Sequence, residues 1–98
     1  MIDMQVRAED GEIEAHGTQG VAWTESLTLL DQVKFPFLTS LLPYADTVFN
    51  ERQAARLRRE VADPVAREVL GEAVAVEIEE RCRQVEDGIH LYLWFVGD

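Results

Sequence analysis

The chain has few of the features that place a protein outside the cytoplasm or in a membrane. Its 98 residues include one cysteine, Cys82, which has no second cysteine for an internal disulfide, as is usual in a reducing compartment. No apolar run approaches the roughly 18 residues that a transmembrane helix needs. The N-terminal residues lack the positively charged start of a signal peptide. We therefore expect a cytoplasmic protein that does not enter a membrane.

The sequence also lacks the motifs of common enzyme and cofactor classes. It has no glycine-rich phosphate loop, no nucleophile elbow and no zinc-ligand spacing. Acidic pairs at helical spacing between residues 68 and 80 have no histidine on the same turn, so they indicate a solvated helix face rather than a metal site. We expect no cofactor, no metal ion and no catalytic residue. The least favoured alternative is a small enzyme in which Cys82 or Asp46 acts with His90.

Positive charge is scarce as well. Nine basic residues against 19 acidic ones give a net charge of −10, and Lys34 is the only lysine. Such a surface repels phosphate backbones, so we expect no binding to nucleic acid. It attracts a basic protein partner, although solubility alone is the plainer interpretation of the acidity.

Three of the arginines are predicted to share one helix face. Arg52, Arg56 and Arg59 are separated by four and three residues, the spacing of neighbours on a helix surface. The plain interpretation is a solvated face. The alternative is a docking patch for an anionic group, including the acidic end of a second copy of the chain.

The C-terminal segment 89–96 is the most apolar and aromatic part of the chain. A terminus usually frays unless it is held in place, so we predict that this segment is an internal strand of a sheet. Its alternation predicts two faces. They are Ile89, Leu91, Leu93 and Phe95 on one side and His90, Tyr92, Trp94 and Val96 on the other. The second face is either covered by segment 21–42 or contacts a partner.

The N-terminal residues predict a β-hairpin. Apolar and polar residues alternate over 2–8 and again over 12–16, and Asp10-Gly11 between them favours a tight turn. Segment 21–34 fits neither a helix nor a strand well, and we expect a short helix that begins near Ser26.

Two consecutive helices are predicted between residues 50 and 86. Asn50 and Gln53 form a capping box that starts a helix over 50–62. Asp63-Pro64 then starts a second helix that runs to about Glu86, with Gly71 inside it. Residues 74–79 alternate like a strand, but an apolar stripe at helical spacing favours a helix there.

Segment 43–50 is predicted to be a loop that leads into the first long helix. The plain interpretation is a rigid connector with its own caps. In the functional interpretation, Tyr44 and Asp46 form a small polar pocket together with the helix N-terminus.

Two blocks of the sequence resemble a family. The blocks are Pro43-Tyr44-Ala45-Asp46-Thr47-Val48-Phe49-Asn50, preceded by Phe35-Pro36-Phe37-Leu38, and the ending Leu91-Tyr92-Leu93-Trp94-Phe95-Val96-Gly97-Asp98. They resemble a group of small, mostly uncharacterised bacterial proteins that share a PY-x-DTVFN block and an aromatic C-terminus. The resemblance covers about the last two-thirds of the chain. It implies no activity, and it implies that loop 43–50 and the terminal strand form one structural unit.

We expect a single α+β domain over residues 1–98. A small antiparallel sheet, made of the N-terminal hairpin and the C-terminal strand, packs against two consecutive α-helices. The expected function is a small acidic cytosolic protein-binding module of the immunity or inhibitor type. The expected partner-binding residues are His90, Tyr92, Trp94, Tyr44, Asp46, Arg52, Arg56 and Arg59. The alternative is a structural homodimer joined through strand 89–96 or through the arginine face.

Overall fold

A computed structural model describes residues 1–97, and Asp98 of the C-terminal block lies outside the described residues. It confirms the predicted α+β fold, with helices packed against an antiparallel sheet of four strands. The strands are β1 (Asp3–Ala8), β2 (Ile13–His16), β3 (Thr47–Phe49) and β4 (Leu91–Val96). The helices are α1 (Glu25–Thr28), α2 (Glu51–Ala62), α3 (Pro64–Leu70) and α4 (Glu72–Asp87), and Leu38–Ser40 form a 3-10 turn.

The C-terminal strand lies inside the sheet, as predicted. The strand order is β2-β1-β4-β3, and β4 pairs antiparallel with β1 on one side and β3 on the other. Leu93 stands opposite Val6 of β1 and opposite Phe49 of β3. The aromatic segment is therefore held through its backbone along both edges.

The start of this strand was predicted two residues too early. β4 begins at Leu91, because His90 has a left-handed backbone with φ of 54° that breaks the extended conformation. Ile89 is consequently 84% exposed and does not reach the core face. His90 precedes the strand and is not part of its aromatic face.

Strand β3 was missed, since segment 43–50 was predicted to be a loop throughout. Three residues are too few to show a period of two, and this strand lies at an edge of the sheet. Its pairing with β4 brings segment 43–50 and the C-terminal strand together. Gly97 lies so close to the backbone of Pro43 and Ala45 that a side chain at Gly97 would collide with it.

The N-terminal hairpin is confirmed. Gly11 has φ of +90° in the turn, and the backbone N–H of Glu12 donates to the Asp10 carboxylate at 2.9 Å. The ambiguous segment contains one short helix, α1, whose N-cap Thr24 accepts a hydrogen bond from the N–H of Leu27. This matches the helix expected near Ser26, although it spans only four residues.

The long helices follow their capping signals with one exception. The reciprocal Asn50–Gln53 capping box is present, with both hydrogen bonds at 2.9 Å. The second helix was predicted to be continuous, which is wrong at Gly71. That residue has φ of +87° and ψ of 147°, which is not helical, so α3 ends and α4 begins there. Residues 74–79 belong to α4, which confirms the helical interpretation of that segment.

The core lies between the helices and one face of the sheet. Met4 and Val6 of β1 and Leu93 and Phe95 of β4 point into it. Segment 21–42 also packs into this core instead of covering the other face of β4. The residues that it contributes are Val21, Leu27, Leu30, Phe35, Leu38 and Leu41.

Candidate functional site

The candidate site is the outer face of the sheet, opposite the core. The register places Trp94 of β4 between Gln5 of β1 and Val48 of β3, and Tyr92 opposite Arg7. Tyr92 and Trp94 are half-buried, and Val48 is 40% exposed. An apolar and aromatic strip therefore runs across the middle of the sheet and is partly open to solvent.

A shallow groove of about 240 Å³ is formed on this face. The residues that line it are Ala8, Glu9, Gly11, Val48, Tyr92 and Trp94. The hairpin turn contributes Glu9 and Gly11, and β3 and β4 contribute the apolar groups. Since Glu9 is the only charged residue among the described lining residues, the groove is apolar with one carboxylate at its rim.

Arg7 fixes one side of the aromatic strip. Its guanidinium carbon lies 4.0 Å from the centre of the Trp94 ring, a cation–π contact. Its Nε and Nη2 donate to the side-chain oxygen of Gln5 at 2.8 and 2.6 Å. The indole is thereby held in one orientation between the strands.

His90 lies beside the hairpin turn rather than among the strand residues. Its Nδ1 is 3.7 Å from the Glu9 carboxylate, and both side chains are about 70% exposed. Of the three residues predicted for this face, Tyr92 and Trp94 are on the strand, and His90 is outside it.

Tyr44 and Asp46 belong to a different region. Both are exposed, and Tyr44 is 83% exposed. Asp46 precedes Thr47, which pairs with Phe95, so it lies at the far end of β4 from His90, about 20 Å along the strand. The structure therefore does not bring Asp46 and His90 together as a catalytic pair.

The predicted arginine face of α2 is a separate surface. Arg52, Arg56 and Arg59 are all exposed, and none of them forms an ion pair within residues 1–97. The neighbouring Arg58 instead donates two hydrogen bonds to Glu86 of α4, at 2.7 and 2.9 Å. Because α2 packs on the core side, these arginines do not contribute to the groove.

Cys82 is enclosed in the core. It is fully buried, and burial together with the nearby Glu86 carboxylate raises the pKa of its thiol to about 12. A thiol with this pKa is protonated at neutral pH, and His90 is exposed to solvent on another part of the fold.

Two carboxylates are buried and hold loops in place. Glu77 was predicted on the solvated acidic face of residues 68–80, which is wrong, and the burial of Glu60 was not predicted. Glu77 accepts from the N–H and hydroxyl of Thr18 and from the N–H of Gln19, at 2.7–2.9 Å. Glu60 accepts from the backbone N–H groups of Phe37 and Leu38 at 3.1 and 3.0 Å. A glutamate at an inward helical position is the signal for them. Their role is to fix segments 17–19 and 37–38 against the helices.

The groove residues Glu9 and Val48, and Arg7 beside them on Trp94, were also missed as site residues. Each lies far from β4 in sequence, and only the strand pairing places it beside the aromatic strip. The alternation of apolar and polar residues predicts which residues share a face of one strand, but it does not predict which strands are neighbours in the sheet.

Comparison of the chain with protein-family models, with curated proteins and with solved structures gives no match. Among the described residues, no helix is both long and apolar enough to cross a bilayer. The same part of the chain contains no group of three or more histidine, cysteine, aspartate or glutamate side chains placed to hold a metal ion.

Proposed function

We propose that this chain is a small acidic protein-binding module and that the outer face of its sheet is the docking surface. The observation that supports this most directly is the groove, which Tyr92 and Trp94 line together on the face of the sheet opposite the core. Tyrosine and tryptophan contribute large contact areas at a small cost in side-chain entropy, and they dominate the binding energy of many interfaces.

The proposed partner is a basic protein. The net charge of −10 favours the approach of a positively charged surface. Four acidic residues of the hairpin are exposed beside the groove, so this attraction is strongest at the docking face. They are Glu9, Asp10, Glu12 and Glu14. Such a module acts by covering its partner in the cytoplasm, as immunity and inhibitor proteins do.

The surface is also held in its binding conformation before a partner arrives. β4 pairs on both sides, and Arg7 holds the Trp94 ring through a contact of 4.0 Å while bonded to Gln5. A preformed aromatic surface loses little conformational entropy on binding, which favours affinity.

Site-specific photocrosslinking in the source cells tests this function. Val48, at the groove, and Val76, on α4, have similar exposure of 40% and 38%, so each can be replaced with p-benzoylphenylalanine as a matched pair. We expect an adduct with a basic protein from position 48 and none from position 76. Adding Trp94→Ala to the position-48 variant should remove the adduct, and raising the salt concentration before irradiation should weaken it.

Three results would contradict the proposal. One is equal crosslinking from positions 48 and 76, and another is no adduct from position 48. The third is an adduct with a second copy of this chain as its only product, which would support the structural homodimer instead. Since β4 pairs along both edges, a second copy could contact only its side chains.

A further inference from the structure

We infer that the groove accepts the guanidinium group of an arginine side chain of the partner, between the aromatic rings of Tyr92 and Trp94 and the carboxylate of Glu9. This inference rests on the proposed function and specifies the chemistry by which the partner is anchored.

The aromatic groups are spaced for a flat cation. Tyr92 and Trp94 are alternate residues on one strand face, so their side chains emerge about 7 Å apart. Arg7 already places its guanidinium 4.0 Å from the Trp94 ring centre, so this indole accepts such a group in its present environment. Arg7 is not among the residues that line the groove, whereas Trp94 is.

The charges around the groove favour a cation over other occupants. Glu9 is the charged residue of the lining, and it lies 3.7 Å from His90, with both side chains largely exposed. The other basic group beside the site is Arg7, whose guanidinium contacts the Trp94 ring. Asp10 and Glu12 add negative charge in the same turn, and neither forms an ion pair in the part of the chain that the structure describes. These carboxylates repel an anion. An apolar side chain would bury surface in the groove but would form no ion pair with Glu9.

Arginine suits this site better than lysine. The guanidinium is planar and weakly hydrated, so it stacks on aromatic rings at a smaller desolvation cost than an ammonium group. It also presents paired N–H donors that a single carboxylate can accept side by side. A groove of about 240 Å³ with two rings and one carboxylate offers both kinds of contact.

The experiment uses the full-length, ¹⁵N-labelled chain and the peptide Ac-Ala-Arg-Ala-NH₂. Its matched control is the same peptide with citrulline, which keeps the shape of arginine and lacks the charge. We expect saturable NMR shifts at the Trp94 indole, at Tyr92 and at Glu9. Citrulline should bind about tenfold more weakly, and lysine should fall between the two.

Protein variants assign the binding to this groove. Trp94→Ala and Glu9→Gln should each weaken the arginine peptide about fivefold or more. Trp23→Ala and Glu68→Gln are matched controls, since Trp23 is 41% exposed in another segment and Glu68 is exposed on α3, and both should leave the affinity unchanged. If Trp94→Ala fails to fold, Glu9→Gln alone tests the site, because Glu9 is exposed in a turn.

The inference is overturned if citrulline binds as tightly as arginine, if no saturable shift appears, or if Trp23→Ala weakens binding as much as Trp94→Ala does. The peptide titration and the photocrosslinking experiment together distinguish failure of this inference from failure of the proposed function. A basic-protein adduct at position 48 without peptide binding would leave the docking surface in place and remove the arginine anchor. Peptide binding without an adduct would retain the anchor and contradict the docking proposal.

Discussion

Glu60 and Glu77 carry the two buried carboxylates of the helices, and burial affects their pKa values with different outcomes. Burial raises the pKa of Glu60. The hydrogen bonds that it accepts from the backbone N–H groups of Phe37 and Leu38 lower this pKa, but they offset only part of the effect of burial. For Glu77, burial also acts to raise the pKa, but the hydrogen bonds from Thr18 and Gln19 outweigh it, so the pKa is lowered. Glu60 is the more strongly desolvated carboxylate and has two donors, whereas Glu77 has three donors and the nearby charge of Arg81, so the two pKa values shift in opposite directions.

The stability of the protein should therefore depend on pH in opposite ways through these two residues. The stabilisation from Glu77 is present above its ordinary pKa of 4.5 and is lost as the pH falls through the lowered pKa. Ionised Glu60 is disfavoured by folding, so its effect on stability becomes less favourable as the pH rises from 4.5 through the raised pKa.

Urea unfolding of Glu60→Gln and Glu77→Gln at several pH values checks this prediction. The stability advantage of the wild type over Glu77→Gln should grow with pH and reach about 1–2 kcal/mol at neutral pH. Its advantage over Glu60→Gln should shrink with rising pH. Glu80→Gln is the control, because Glu80 is 55% exposed and should change stability little. Curves that change in the same direction for both variants would contradict the assignment.

Among the individual residues, Tyr92 and Trp94 could be predicted as candidate surface residues from the sequence, because the alternation along one strand depends only on neighbouring residues. The sequence did not identify the carboxylate of Glu9 or the arginine contact on Trp94. Both depend on how the hairpin is placed against β4, which is a long-range property of the fold.

Among the elements, the break between α3 and α4 is where the structure differs most from the prediction. Gly71 takes φ of +87° and ψ of 147°, a conformation that is almost restricted to glycine. Arg67 of α3 spans the break, donating to Glu72 and to Glu79 of α4 at 2.6 Å each. The break is thus specified by a backbone conformation and supported by ion pairs.

Replacement of Gly71 by alanine distinguishes the two arrangements by the sign of its effect. A Cβ at this position has no atom within 4 Å, so the effect comes from the backbone and not from a collision. With the observed conformation, Gly71→Ala should lower the free energy of unfolding by about 1–3 kcal/mol. In a continuous helix it would raise that energy by up to about 1 kcal/mol. Thermal and urea unfolding measure the difference, and a stabilised variant would contradict the break.

Elements with a strong local signal were predicted well. The alternation of β1 and the capping box of α2 both act over a few neighbouring residues, so the chain encodes them directly. Strand β3 has only three residues and is a strand because β4 is beside it. Gly71 has no local mark that separates a weak helical position from a break.

In the whole molecule, the last strand along the chain is an interior strand of the sheet. β4 pairs with β1, the first strand, and with β3, so the sheet is completed only when the C-terminal residues are in place. One face of β4 supplies Leu93 and Phe95 to the core, and the other supplies Tyr92 and Trp94 to the groove. The core and the proposed docking surface therefore depend on the same six residues.

Amide hydrogen exchange of the free protein, followed by NMR, tests this arrangement most directly. Leu93, Trp94 and Phe95 pair with strands on both sides, so their amides should exchange only through global unfolding and rank among the slowest in the protein. Amides of the edge strand β2 should exchange faster through local opening. Exchange of the three β4 amides as rapid as that of the hairpin turn would show that the C-terminal strand is not held in the sheet, and would contradict both the fold and the site.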